Sequence, residues 1–252
     1  PRYSTLTEVS TETIDRLGAR WVSRLEGGAS SRSTPAVKDG ILYLTAGATV
    51  QAFDGATGEH VWTWQEDDAA AQRVPSWQGV GLSDELVFVG LRSTEVAALR
   101  QDTGELAWAE RVGSIPAQVG ETVTTAPIHA AGKVFVGVAN GDSGGQGRVV
   151  ALDAETGEVV WDTEILDYRV NPANQTSGPI VAGGKAFSGR SCDPRGGPNG
   201  CVITAHDAAT GEELWRRRLI PAPGEPGDET WGDVPFDERA HVGSWMVPSY
   251  DP

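Results

Sequence analysis

The stretch AHDAATGEELW, from Ala205 to Trp215, decides the fold because the chain repeats it. AFDGATGEHVW (Ala52 to Trp62) and ALDAETGEVVW (Ala151 to Trp161) keep every shared position. ALRQDTGELAW (Ala98 to Trp108) differs from the pattern only in having Arg100 where the others have Asp. The common pattern is A-x-D-x-x-T-G-x-x-x-W, and the closing tryptophans stand 46, 53 and 54 residues apart. A period of about fifty residues marks a repeat architecture, in which each unit is one supersecondary element.

The chemistry of the motif predicts what each unit is. A short apolar run precedes each copy: ILYLTA (41–46), LVFVG (86–90), KVFVGVA (133–139) and the weaker KAFSG (185–189). A second strand, such as RVVALD (148–153), leads into the motif. D-x-x-T-G is turn chemistry, since Asp and Thr side chains bond nearby backbone amides and Gly accepts positive φ. The outgoing strand then starts at E-x-x-W. Each unit reads as strands joined by tight turns, and it must stack on its neighbours to bury its faces. The periodic Trp is large enough to seal that stacking.

Composition narrows the function classes. The chain has 252 residues, with 35 acidic against 20 basic side chains and a net charge of −15. That balance argues against nucleic acid or an anionic membrane surface as a partner. No apolar run reaches eighteen residues, so no membrane span is expected. The 32 glycines and 15 prolines suit a chain with many turns. Cys192 and Cys201 flank the Pro/Gly-rich loop SCDPRGGPNGC. They point to a hairpin disulfide in an oxidising compartment, the alternative being two free thiols. His60, His129, His206 and His241 never recur at short spacing, which leaves no histidine metal site.

The units are expected at about 31–64, 78–110, 122–163 and 176–218, within one domain spanning 1–252. Residues 1–30 form a leading segment, with a short helix-like stretch at Thr13 to Leu17. Polar, irregular connections are expected at 64–77 and 219–242. The chain begins with Pro1 rather than Met, which suggests processing.

The repeat resembles the tryptophan-docking motif of the pyrroloquinoline quinone (PQQ)-dependent alcohol dehydrogenases. The likeness extends to RYSTLTEVSTETIDRLGARWV (2–22), IPAPGEPGDETWGD (220–233) and GSWMVPSYDP (243–252). The resemblance implies an all-β fold, a β-propeller of four-stranded antiparallel blades. This chain would supply about four to five of a probable eight blades, as the N-terminal part of a longer protein. It further implies a periplasmic or secreted enzyme that transfers hydride from a small alcohol or polyol to PQQ. A calcium or lanthanide ion would sit at the quinone's edge, and a cytochrome c would accept the electrons.

Site residues follow from the same resemblance. Trp245 corresponds to the tryptophan that stacks on the cofactor. Two stretches compete for the metal carboxylate. One is NGDSGGQG (140–147), which offers Asp142 as metal ligand and Thr124 of TTAP as cofactor contact. The other is SCDPRGGPNGC, which offers Asp193 and Thr176. Gln78 stands at the position of the family's cofactor-binding Arg, and Arg32 at that of its early Glu. The family's adjacent cysteine pair is absent; Gln72-Arg73 stand near that place. The family's catalytic Asp would lie beyond Pro252, so no catalytic base is assigned in this chain. The competing expectation is a cofactor-free propeller scaffold, like the outer-membrane assembly lipoproteins that share the repeat.

Overall fold

The structure is a computed structural model that describes residues 7–25, 31–65, 75–114, 121–139, 146–167, 173–176, 178–192, 197–244 and 249. Each motif copy closes an antiparallel sheet. The first blade is β1 (Ala36–Lys38), β2 (Ile41–Ala46), β3 (Thr49–Asp54) and β4 (His60–Trp64). The second is β5 (Pro75–Leu82), β6 (Leu86–Leu91), β7 (Glu95–Arg100) and β8 (Leu106–Arg111). The third runs β10 (Ile128–Ala130), β11 (Lys133–Ala139), β12 (Gln146–Asp153) and β13 (Val159–Asp167). It also takes β9 (Thr122–Val123) onto the end of β11. The fourth is β15 (Ile180–Ala182), β16 (Lys185–Gly189), β18 (Val202–Asp207) and β19 (Glu213–Arg218). Beside it β14 (Ala173–Asn174) pairs with β17 (Ser191–Cys192). The expected four-stranded blades are present. The helix-like stretch near the start is one 3-10 turn, Ile14–Arg16.

The motif turn joins the third and fourth strands of each blade. Asp54 Oδ1 accepts the backbone N–H groups of Ala56 (2.9 Å) and Thr57 (2.7 Å) and the Thr57 hydroxyl (2.9 Å). Asp153 and Asp207 repeat the arrangement. These bonds hold all three carboxyls below their ordinary range, and in Asp54 and Asp153 the largest cause is the amide of the motif threonine. The copy with Arg100 keeps the backbone bond from Gly104 N to Arg100 O (2.9 Å), so the main chain carries the turn.

Period-two alternation lets blades two and three bury both faces. In blade two, Val87, Val89, Leu91, Ala97 and Leu99 pack with Tyr43, Val50, Ala52, Trp62 and Trp64 of blade one. The intervening Phe88, Val96 and Ala98 pack with Val134, Val136, Val138, Val150 and Leu152 of blade three. Phe135, Val149, Ala151 and Trp161 meet Ala186 and Val202 of blade four.

The tryptophans seal these interfaces. Trp62 Nε1 donates to Gln101 O (2.8 Å), Trp108 Nε1 to Ala154 O (3.2 Å) and Trp161 Nε1 to Ala208 O (3.2 Å). Each acceptor is the fourth residue of the next blade's motif. Each ring lies flat on the next motif's glycine: a Cβ at Gly157 would stand 2.7 Å from Trp108 Cδ2. Gly157 also has φ +80, so both the turn and the ring contact require glycine. Trp62 and Trp161 are 7 % exposed. Trp215 is 44 % exposed, because no described blade follows blade four.

The leading segment does more than the sequence predicts. Trp21 Nε1 donates to Gly55 O (3.0 Å), its ring covers Gly58, and Ser23 Oγ bonds Gly58 O. Trp21 therefore docks on the first motif as Trp62 docks on the second, although no A-x-D-x-x-T-G precedes it.

Candidate functional site

The meander order sorts the connections onto two faces. Each blade runs through its four strands in turn, so the turns after the first and third strands lie at one end. The turn after the second strand and the passage to the next blade lie at the other. Successive docking contacts are alike, so neighbouring blades share this orientation. All four motif turns fall on one face. Gln78, near the start of β5, and Thr124 and Thr176, on the passages into blades three and four, belong to the opposite one. Asp142, Asp193 and Trp245 themselves lie outside the described residues, as do Gln72 and Arg73.

Two of the candidates meet. Thr124 Oγ1 donates to Thr176 O at 3.0 Å, joining the passages that enter blades three and four. The adjoining Thr125 packs on Gly178. The equivalent threonines of TTAP and TSGP, read from the sequence as rivals, are thus neighbours. Gln78 is exposed at the start of blade two. The next residue, Gly79 (φ +108), lies so close to Thr34 and Ser33 that a Cβ would meet Thr34 O at 2.8 Å. Gln78 and Arg32, two of the positions that depart from the family pattern, therefore lie on touching segments.

The long connection after blade four is an ordered strap. Arg239, 5 % exposed, is its hub: Nη1 pairs with Asp228 (2.6 Å) and donates to Pro221 O (3.0 Å), while Nε donates to Val234 O (3.1 Å). Its guanidinium also lies over the rings of Trp231 and Phe236. Trp231, Phe236 and Val242 pack with the fully buried Ile220 and Cys201. Ser244 N then donates to Arg190 O (3.0 Å), and Gly243 bridges Ser191. The strap is thereby pinned to blade four one residue before Trp245.

Sequence reasoning misses three residues on this face. Glu121, 7 % exposed, accepts Ser114 N (2.9 Å) and Ser114 Oγ (2.7 Å) and ties down the passage into blade three. Arg239 carries no motif. Arg190, which is fully buried, has only the weakness of KAFSG as a signal. Among the described residues no cluster of three His, Cys, Asp or Glu side chains is placed to hold a metal. No described helix is long and apolar enough to cross a membrane. Cys201 is fully buried and not a free thiol, while the Cys192 side chain lies outside the described residues.

Residues 1–162 match the family model described as the β-propeller domain of glucose/ethanol/alcohol dehydrogenase. Residues 118–224 match the model of outer membrane protein assembly factor BamB. The quinoprotein alcohol dehydrogenase PedH of Pseudomonas putida is 32 % identical over 64 % of this chain and 28 % of its own. The dehydrogenase subunit of the alcohol dehydrogenase (quinone) of Gluconacetobacter polyoxogenes is 32 % identical over 99 % of this chain and 39 % of its own. The crystal structure of quinohemoprotein alcohol dehydrogenase from Comamonas testosteroni superposes with a TM-score of 0.74 at 26 % identity. That match covers 87 % of this chain and 39 % of the other. The chain spans 28 % and 39 % of the length of the two sequence relatives. With four docked blades and a family match over residues 1–162, the chain belongs to the PQQ-dependent alcohol dehydrogenase family of β-propeller quinoproteins.

Proposed function

We propose that the chain is the N-terminal part of a PQQ-dependent dehydrogenase that oxidises an alcohol or polyol. The observation that carries this reading is the pairing of two candidate threonines on the face opposite the motif turns. There Thr124 is bonded to Thr176 and the strap ends, pinned, beside Trp245. The described residues fit a polar ligand: hydroxyl-bearing Thr124 and Thr176 stand on adjoining passages, and the segment following Arg32 touches the one following Gln78 at Ser33, Thr34 and Gly79. PQQ, when bound, would supply a quinone as the hydride acceptor for alcohol oxidation.

In this reading Trp245 would offer the broad apolar face of its ring to the quinone. The threonine pair joins the passages of blades three and four. A calcium or lanthanide ion would rest on Asp142 or Asp193, with further oxygens from elsewhere, since a hard cation takes several. Electrons would pass to a cytochrome c. The setting would be periplasmic or extracellular, where Cys192 and Cys201 would form a bridge.

The test is equilibrium binding of PQQ to the longer protein, with calcium and with a lanthanide, read by quenching of tryptophan fluorescence. Dye-linked alcohol oxidation is measured alongside. Trp245→Ala should lower PQQ affinity at least tenfold and abolish reconstitution. A variant that binds like the parent would show Trp245 to be an ordinary core residue. The match of residues 118–224 to the BamB model, with the missing cysteine pair, favours a second reading: a cofactor-free scaffold. Absence of PQQ binding by the parent under either ion would refute the dehydrogenase reading and favour that one.

A further inference from the structure

Blade four breaks the apolar rule of its neighbours at corresponding positions. In every blade an aromatic residue of the second strand pairs across the ladder with the motif alanine: Tyr43 with Ala52, Phe88 with Ala98, Phe135 with Ala151 and Phe187 with Ala205. The residue after that aromatic is Leu44, Val89 or Val136 in blades one to three, and Ser188 in blade four. The residue three after it is Ala46, Leu91 or Val138, and then Arg190. After the motif alanine stand Phe53, Leu99 or Leu152, and then His206. Ser188, Arg190, Thr204 and His206 are all at most 1 % exposed. By the alternation that turns Ala186 to blade three, they share that interface.

Arg190 is left half-satisfied there. Its Nη1 donates to Ser188 Oγ (2.7 Å) and Gly189 O (2.6 Å), but Nε and Nη2 have no partner among the described residues. No described ion pair includes it. His206 Nε2, in the same layer, is also unpartnered. Burial, and then repulsion from Arg216, lowers the Arg190 pKa to about 9, so the group is charged at neutral pH. A bare cation inside a protein is costly, and native buried charges are paired. Leu91 and Val138 fill the corresponding position in blades two and three without that cost. The Nε–H and one Nη2–H of Arg190 point side by side, a fork that matches two carboxylate oxygens or straddles one halide.

We propose that Arg190 holds a compact monovalent anion, a halide or a small carboxylate, in the interface between blades three and four. The anion neutralises the guanidinium and locks blade four to blade three. Arg190 O carries the strap, so the anion also steadies the segment leading to Trp245. This site does not depend on the cofactor reading.

The direct test is crystallography of the parent protein with bromide as the sole halide, and separately with formate. An anomalous bromide peak, or formate density, on the Nε/Nη2 fork is expected. Water alone, or a carboxylate of the protein's own chain on that fork, overturns the proposal. In solution, replacing gluconate by bromide or formate at constant ionic strength should raise the thermal midpoint by about 5 °C. Arg190→Gln should lose that rise. If it fails to fold, Arg190→Lys, which keeps the charge and loses the fork, should show a smaller rise. An equal rise in parent and folded variant would place the anion elsewhere and refute the site.

Discussion

Trp161→Ala should cost far more than Trp215→Ala, although the two residues hold the same place in the repeat. The Trp161 ring is 7 % exposed, lies against Gly211 of the next motif, contacts Phe135 at 5.9 Å and donates to Ala208 O at 3.2 Å. Truncating so buried a ring costs roughly 3–5 kcal/mol, of which the hydrogen bond is about 1 kcal/mol. At about 2–4 °C per kcal/mol for a chain of this size, the thermal midpoint should fall by roughly 6–20 °C. Trp215 is 44 % exposed and contacts Phe187 of its own blade, so its truncation should cost about 1–2 kcal/mol. Urea unfolding followed by far-ultraviolet circular dichroism, with the slope checked for loss of cooperativity, measures both. Stacked units are held by nearest-neighbour interfaces, so Trp161→Ala should also separate the unfolding of blade four from the rest. Equal losses for the two variants would refute the argument that the next blade's glycine is what makes the tryptophan stabilising.

Two further outcomes follow from the turns and the loop below blade four. Thiol counting on the unreduced, denatured protein should find no free cysteine, and reduction should destabilise by roughly 2–3 kcal/mol for a loop this short; two free thiols would exclude the Cys192–Cys201 bridge. Asp54, Asp153 and Asp207 have depressed pKa values in the folded state, so their contribution is fully present above the unfolded value of about 3.9. It is lost as pH falls through the folded values. Thermal midpoints should therefore be level from about pH 5 upward and drop below about pH 4. Asp153→Asn should make that acid drop shallower, and an unchanged acid limb would count against the turn as its source.

The sequence by itself determined the blade, its turns and its number of copies. D-x-x-T-G specifies a turn through bonds within four residues, and alternation along LVFVG or KVFVGVA specifies a strand buried on both faces. Both signals are local, which is why four copies could be read without coordinates. What only the tertiary structure decided is which surfaces meet. Trp21 docks on the first motif with no motif of its own, and Trp215 keeps the pattern yet has no described ring partner on a next blade. Thr124 and Thr176 stand 52 residues apart and are joined by one hydrogen bond. Arg190 is one arginine among many in the sequence. Its half-satisfied burial appears only once blades three and four are packed, because a side chain's desolvation depends on neighbours that the local chain does not encode.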